Sequence, residues 1–230
     1  YSKNPGNLDE TIGTFQMASK EQAYDALDKA WDAFESWQYV SAKKRADYLF
    51  KAADVIRRRR LEINAWMIGE AGKNYLEADA DTCEAIDFVE YYAHEALRID
   101  DGMDVLSETW GDYNQSFYMP IGAGESISPW NFPFAIFVGM SVAPIAVGNT
   151  VVAKPAPDTP RMGSILAEIF DEVDLPSGVF NFVTGGDIEV GENLAKHPKT
   201  RFISFTGSKA VALHLNDIAA EIQEGQKFLK

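Results

Sequence analysis

Ser126 to Ala156 reads SISPWNFPFAIFVGMSVAPIAVGNTVVAKPA and carries one charge, Lys154, near its far end. In a chain of net charge −14, so long an uncharged run is a membrane span, a buried core segment or the dry wall of a site. A spanning helix needs about 20 continuous apolar residues. Pro129, Asn131, Pro133, Pro144, Gly148 and Asn149 interrupt this run, and its best helical portion, Phe134 to Val147, is too short to cross. What remains is a buried helix between two strand-like segments, GESIS (Gly124–Ser128) and TVVAKP (Thr150–Pro155). Strand, helix and strand in succession form the unit from which parallel sheets are built.

The same alternation continues downstream. VFNFVTG (Val179–Gly185), RFISFTG (Arg201–Gly207) and the terminal QKFLK (Gln226–Lys230) read as further strands. Helices are expected at about Pro160–Val173, Ile188–Lys196 and Ser208–Gln223, the first opened by Thr159 as cap and Pro160 at the first helical position. Upstream the texture differs. Residues 1–103 read as helices, with Ser19 and Gln22 forming a capping box ahead of Ala23, Leu27, Ala30, Trp31 and Phe34 at helical spacing. A second helix follows Ser41 through Leu49, Ala53, Ile56, Ile63 and Met67, and a third covers about Asp79 to Leu97. The run Arg57–Arg60 reads as a solvated helical face paired with nearby glutamates. Between the halves, residues 104–120 alternate aromatic and polar side chains and read as a β-ribbon. The expected fold is thus α/β: a Rossmann-like doubly wound parallel sheet over residues 121–230, preceded by a helical segment and a ribbon.

Composition narrows the function. With 21 basic against 35 acidic residues, nucleic acid phosphates would be repelled, and no membrane partner is expected. Cys83 is the only cysteine, and His94, His197 and His214 match no ligand spacing, so no metal site is expected. The chain opens at Tyr1 without a basic-then-apolar leader or an initiator Met, which reads as part of a longer, cytoplasmic protein.

Open α/β sheets bind ligands at the carboxyl ends of their strands. Lys154 stands at one such end, where a cation can meet a ribose hydroxyl or a phosphate. Gly185 and Gly186 precede a helix, and Gly207 with Ser208 opens another, where free N–H groups favour a diphosphate. Each alone is an ordinary strand-to-helix turn; three on one sheet edge point to a nucleotide site. Asn131 lies between Trp130 and Phe132 with Pro129 and Pro133 stiffening the backbone. Two readings stand for it: a neutral amide donor to a developing oxyanion, or a turn residue bonding its own backbone.

ISPWNFP (Ile127–Pro133), VVAKPA (Val151–Ala156) and SFTGS (Ser204–Ser208), in that order, resemble the first half of an aldehyde dehydrogenase. The resemblance runs from NPGNLDETIG at Asn4 to the last residue, and CEAIDFVEYYAHEA (Cys83–Ala96) with NQSFYMPIGAG (Asn114–Gly124) is most similar to the branch that oxidises 1-pyrroline-5-carboxylate. It implies NAD as cofactor and an aldehyde, glutamate γ-semialdehyde, as substrate. It also implies that Asn131 is the oxyanion donor, that Ser128 and Trp130 line the nicotinamide-side ribose, and that Lys154 holds the adenosine ribose. Gly207 and Ser208 would then meet the diphosphate, Gly185 the adenine, and Phe132 the aldehyde. Glu84 falls where this branch receives the substrate's ammonium, against the alternative of an exposed helix residue. The ribbon resembles the family's oligomerisation segment, which implies a homo-oligomer.

Four departures go with the resemblance. The family's nucleophilic cysteine and water-activating glutamate have no counterpart here, and Cys83 lies in no nucleophile context, so the chain alone is expected to be inactive. Pro157 stands where many NAD-preferring relatives carry Glu, which implies tolerance of NADP. Ala212 replaces a glycine frequent beside the diphosphate. The rival expectations are another aldehyde, such as succinate semialdehyde, and a non-catalytic nucleotide-binding or interaction module.

Overall fold

Strands β5 (Ala123–Ile127) and β6 (Thr150–Lys154) are buried at every residue, as strands covered on both faces must be. They pair in parallel, Ala123 opposite Thr150 through Ile127 opposite Lys154. In this computed structural model, which describes residues 1–105 and 109–221, they form the centre of a four-stranded parallel sheet. Its order is β7 (Phe180–Phe182), β6, β5, β8 (Ile203–Phe205). The chain steps outward from β5 to β6 to β7 and then returns to place β8 on the other side of β5. The strand order therefore reverses between β5 and β8, the position where open α/β sheets leave a crevice.

Helices cover both faces. On one lie α4 (Ala135–Ala146) and α5 (Pro160–Glu172), backed by α2 (Ala42–Ala71) and α3 (Tyr75–Ile99). The main core joins Leu49, Ile56, Ile63 and Met67 of α2 to Val89 of α3, Phe137 and Val142 of α4 and Ile165 of α5. On the other face α1 (Lys20–Trp37) packs Ala23, Leu27 and Ala30 on Ala123 and Val152, joined by Val190 and Leu194. Those last two belong to a π-helical turn, Asp187–Glu192, and to the short α6 (Asn193–Lys196). Helix α7 (Lys209–Ala220) follows β8 and buries Leu215 and Ile218 near Ile127. No helix among the described residues is long and apolar enough to cross a membrane.

Local signals and structure agree where the signal is local. Ser19 and Gln22 form the reciprocal capping box, and Ser41 accepts from the Lys44 amide. Arg57 pairs with Asp54 and Glu90, Arg58 with Glu172, Arg59 with Glu62 and Glu168, and Arg60 with Asp79.

Three expectations are corrected. The first residues are not helical: β1 (Ser2–Asn4) and β2 (Asn7–Gly13) form an irregular antiparallel hairpin. The largely exposed β2 has no apolar alternation to announce it. Helix α3 begins at Tyr75, ahead of the expected Asp79, because Asn74 and Glu77 form a capping box. Thr159 makes no side-chain cap for α5. The acceptor there is the buried Glu70 of α2, which takes the amides of Arg161 at 3.1 Å and Met162 at 3.3 Å.

The ribbon appears as β3 (Met103–Val105) paired with β4 (Asn114–Ser116), every strand residue exposed. The strand expected at Gln226–Lys230 and the last residues of the expected Ser208–Gln223 helix lie outside the described residues.

Candidate active site

The crevice at the strand-order reversal is a cleft of about 530 Å³. Its walls come from the loop after β5 (Ser128, Trp130, Asn131, Phe132), the end of β6 (Lys154 and Pro157), and the turn after β8 (Thr206, Gly207, Ser208). Backbone bonds tie these segments together: Ser128 N donates to Lys154 O at 3.3 Å and Thr206 N to Ile127 O at 3.1 Å. Seven of the nine residues singled out from sequence thus meet in one place.

Two do not. Gly185 lines a neighbouring cleft with Tyr1, Phe15 and Thr184, which shares only Ala156 and Pro157 with the first. A Cβ on Gly185 would lie 2.2 Å from Val190 Cγ2, so packing alone demands glycine there. Glu84 is exposed on α3 and lines neither cleft. It sits three residues beyond Asp81, hence on an adjoining part of the helix surface. Ala212 faces away, beside Ile203, Phe205 and Leu215. Cys83 is half-buried on α3, also outside the cleft.

The 129–134 loop is held from behind. Asp81, buried on α3, accepts from the Ala135 amide at 2.6 Å and from Lys73 Nζ at 2.7 Å. Lys73 Nζ in turn lies 4.2 Å from the centre of the Phe132 ring, a cation–π contact. Burial pushes the Asp81 carboxyl above its usual range, with Lys73 and the Ala135 amide pulling it back. The loop's own side chains stay open: Trp130 is 59% and Phe132 44% exposed. Asn131 is exposed too, and its side-chain amide joins no hydrogen bond among the described residues. The self-bonded turn is therefore absent, and the amide is free to donate.

Polar groups elsewhere in the cleft suit a dinucleotide. The buried Ser128 Oγ has no partner among the described residues. Ser208 caps α7 by accepting from Val211 N at 3.3 Å, and the first-turn amides beside it have no intrahelical acceptor. Lys154 is 1% exposed, and its ammonium meets the Asp187 carboxylate at 2.7 Å. Asp187 is a charged cleft residue that sequence reading missed: its partner lies 33 positions away, and DIEVGE reads as an ordinary helix start.

The aldehyde dehydrogenase family model matches residues 2–228. The chain belongs to this family. Among curated aldehyde dehydrogenases it is 50% identical over 229 residues to the 1-pyrroline-5-carboxylate dehydrogenase of Geobacillus thermodenitrificans. It is 47% identical to 1-pyrroline-5-carboxylate dehydrogenase 1 of Halalkalibacterium halodurans. Each match covers the whole chain but 44% of the relative, so the chain spans under half the length of these enzymes. The crystal structure of 1-pyrroline-5-carboxylate dehydrogenase from Thermus with bound NAD superposes with a TM-score of 0.96 at 48% identity, over 100% of this chain and 44% of that one. Proline utilization A of Bdellovibrio bacteriovorus gives 0.96 at 40% identity, over 99% of this chain and 24% of that one. The aldehyde dehydrogenase fold expected from ISPWNFP, VVAKPA and SFTGS is therefore the fold observed.

Proposed function

We propose that this chain provides the dinucleotide-binding part and the oxyanion donor of an enzyme that oxidises glutamate γ-semialdehyde, the open form of 1-pyrroline-5-carboxylate, to glutamate in proline catabolism. The observation that carries the reading is the cleft at the β5/β8 reversal. Asn131, Lys154, Gly207 and Ser208 converge there in a chain half identical to enzymes of that name. In this reading residues 121–230 bind the cofactor and residues 1–103 buttress them. The ribbon at 104–120, with Met103, Trp110, Tyr113 and Tyr118 exposed beside it or on it, joins copies into a homo-oligomer. The free Cys83 suits a reducing, cytoplasmic setting.

The residues fit NAD. The amides at the start of α7 and the Ser208 backbone would hold the diphosphate, Lys154 a ribose, and the unpartnered Ser128 hydroxyl the nicotinamide-side sugar beside Trp130. When bound, the nicotinamide supplies a hydride acceptor. Asn131 would offer an N–H to the oxygen that gains charge when the enzyme's nucleophile adds to the aldehyde carbon; a neutral donor placed there lowers that barrier. Phe132, held by Lys73, gives the substrate an apolar wall. Glu84 offers a carboxylate to the substrate's ammonium, which needs a counter-charge wherever water is excluded. Gly185 borders the adenine in this reading.

Steady-state NADH formation by the intact protein tests this. Asn131→Ala is expected to lower kcat about 10²- to 10³-fold; a loss under about tenfold would remove Asn131 from the oxyanion-donor role. Glu84→Gln is expected to lower kcat/KM for glutamate semialdehyde more than for succinate semialdehyde. An unchanged preference would remove Glu84 from the site. The 230-residue chain alone, whose one cysteine lies outside the cleft, is expected to oxidise no aldehyde.

A further inference from the structure

We propose that Asp187, paired with Lys154, is the residue by which this protein distinguishes a dinucleotide with a free adenosine 2′-hydroxyl from one bearing a 2′-phosphate. The inference rests on reading the cleft as a dinucleotide site. Lys154 ends β6 with its ammonium buried, and a buried cation needs a counter-charge. Asp187 provides it from the first residue of the π-helical turn. That turn rests directly on the lysine: a Cβ on Gly191 would lie 3.6 Å from Lys154 Cδ and 3.6 Å from Ile127 Cδ1. π-Turns are uncommon and concentrate at functional sites. This one brings a carboxylate over the end of a strand it does not belong to.

Asp187 is 74% exposed on its side chain and lines the cleft, so the pair is buried on one side and open on the other. Oδ1 faces Lys154, while Oδ2 has no partner among the described residues. An acceptor beside a donor is the arrangement that recognises a vicinal diol: the carboxylate takes a hydroxyl proton and the ammonium meets a hydroxyl oxygen. Acidic residues perform this service for NAD in other dinucleotide folds, where an arginine accommodates the phosphate of NADP. A 2′-phosphate here would set its charge against Asp187, and Asp187 also cancels the lysine charge that would otherwise attract it. Pro157 brings no carboxylate to the cleft; Asp187 does. Asp158 lines the same cleft without touching Lys154, so it serves as the control.

Calorimetric dissociation constants for NAD and NADP on the intact protein test the proposal independently of turnover. The parent is expected to prefer NAD. Asp187→Asn is expected to bring the two constants together by about tenfold or more, mainly by tightening NADP. Asp158→Asn should shift the ratio far less. A ratio within about twofold of the parent in the Asp187 variant overturns the proposal, and so does an equal shift in the Asp158 variant. Lys154→Met separates this from the underlying reading, because it should weaken both dinucleotides. If Lys154→Met weakens both while Asp187→Asn changes nothing, the cleft stands and the discriminator falls. If Lys154→Met leaves both unchanged, the cleft assignment fails and takes the proposal with it.

Discussion

Asp81 uses both carboxylate oxygens from a buried position, one for the Ala135 amide and one for Lys73, and through Lys73 it reaches the Phe132 ring. Phe132 and the first residue of α4 are thereby held from the helical layer, while Ser128 ties the start of the loop to the sheet. Asp81→Ala would strand the ammonium of a lysine whose side chain is 11% exposed and leave the Ala135 amide without its acceptor. The expected cost is about 3–5 kcal/mol, the range for breaking a buried pair, measured as a shift in urea denaturation. A cost below about 1 kcal/mol would mean the pair is no better than a surface contact. None of this was readable from sequence. Nothing in the sequence sets Asp81 apart from the other acids of α3, and its bond to Ala135 spans 54 positions. By contrast Lys154, Gly207 and Ser208 were legible because a strand followed by a turn and a helix marks its own carboxyl end. Asp187 escaped because its role depends on which strand its turn folds onto.

Among elements, α4 and α5 show how capping escapes local inspection. Neither has a side-chain cap of its own, and each takes its first amides' acceptor from the helical layer, Asp81 for α4 and Glu70 for α5. Sequence reading placed both helices well because their apolar runs are local, and it misassigned the cap because Thr159 merely stands in the usual place. Glu70 yields a pH signature. Burial raises its carboxyl above the ordinary value of 4.5, with Ser2, the two α5 amides and Arg161 opposing. Between the unfolded and the folded value, the folded state therefore holds more of this proton than the unfolded chain does. Stability from this group is greatest below the unfolded value, declines as pH rises through the folded value, and is level above it. Glu70→Gln removes that slope. The melting temperature of the variant relative to the parent is expected to rise between about pH 4 and about pH 7. A difference that stays flat, or moves the other way, would show that the carboxylate's bonds outweigh its burial.

At the scale of the molecule, the alternation of strand and helix made the parallel sheet legible, together with the helices that sandwich it. The opening hairpin was not, since β2 carries no apolar face and β1 hangs on contacts such as Ser2 Oγ to Glu70 at 2.7 Å. Nor was the interdependence of the two halves. Helix α4 begins on Asp81 and ends with the Ile145 and Ala146 carbonyls taken by Trp37 Nε1 at 3.2 Å and Arg45 Nε at 2.8 Å. Three helices from the first hundred residues thus complete the backbone of one helix from the second. Residues 121–230 expressed alone are expected to show no cooperative thermal transition, read by near-ultraviolet circular dichroism. A sharp melt would refute it.

This borrowed capping also bears on how such a protein can change over generations. A half whose helix ends are finished by another half cannot be lifted out and fused elsewhere as a portable module. The sheet and the helical layer have to be inherited together, and substitutions at Trp37, Arg45, Glu70 and Asp81 are answerable to a partner dozens of positions downstream.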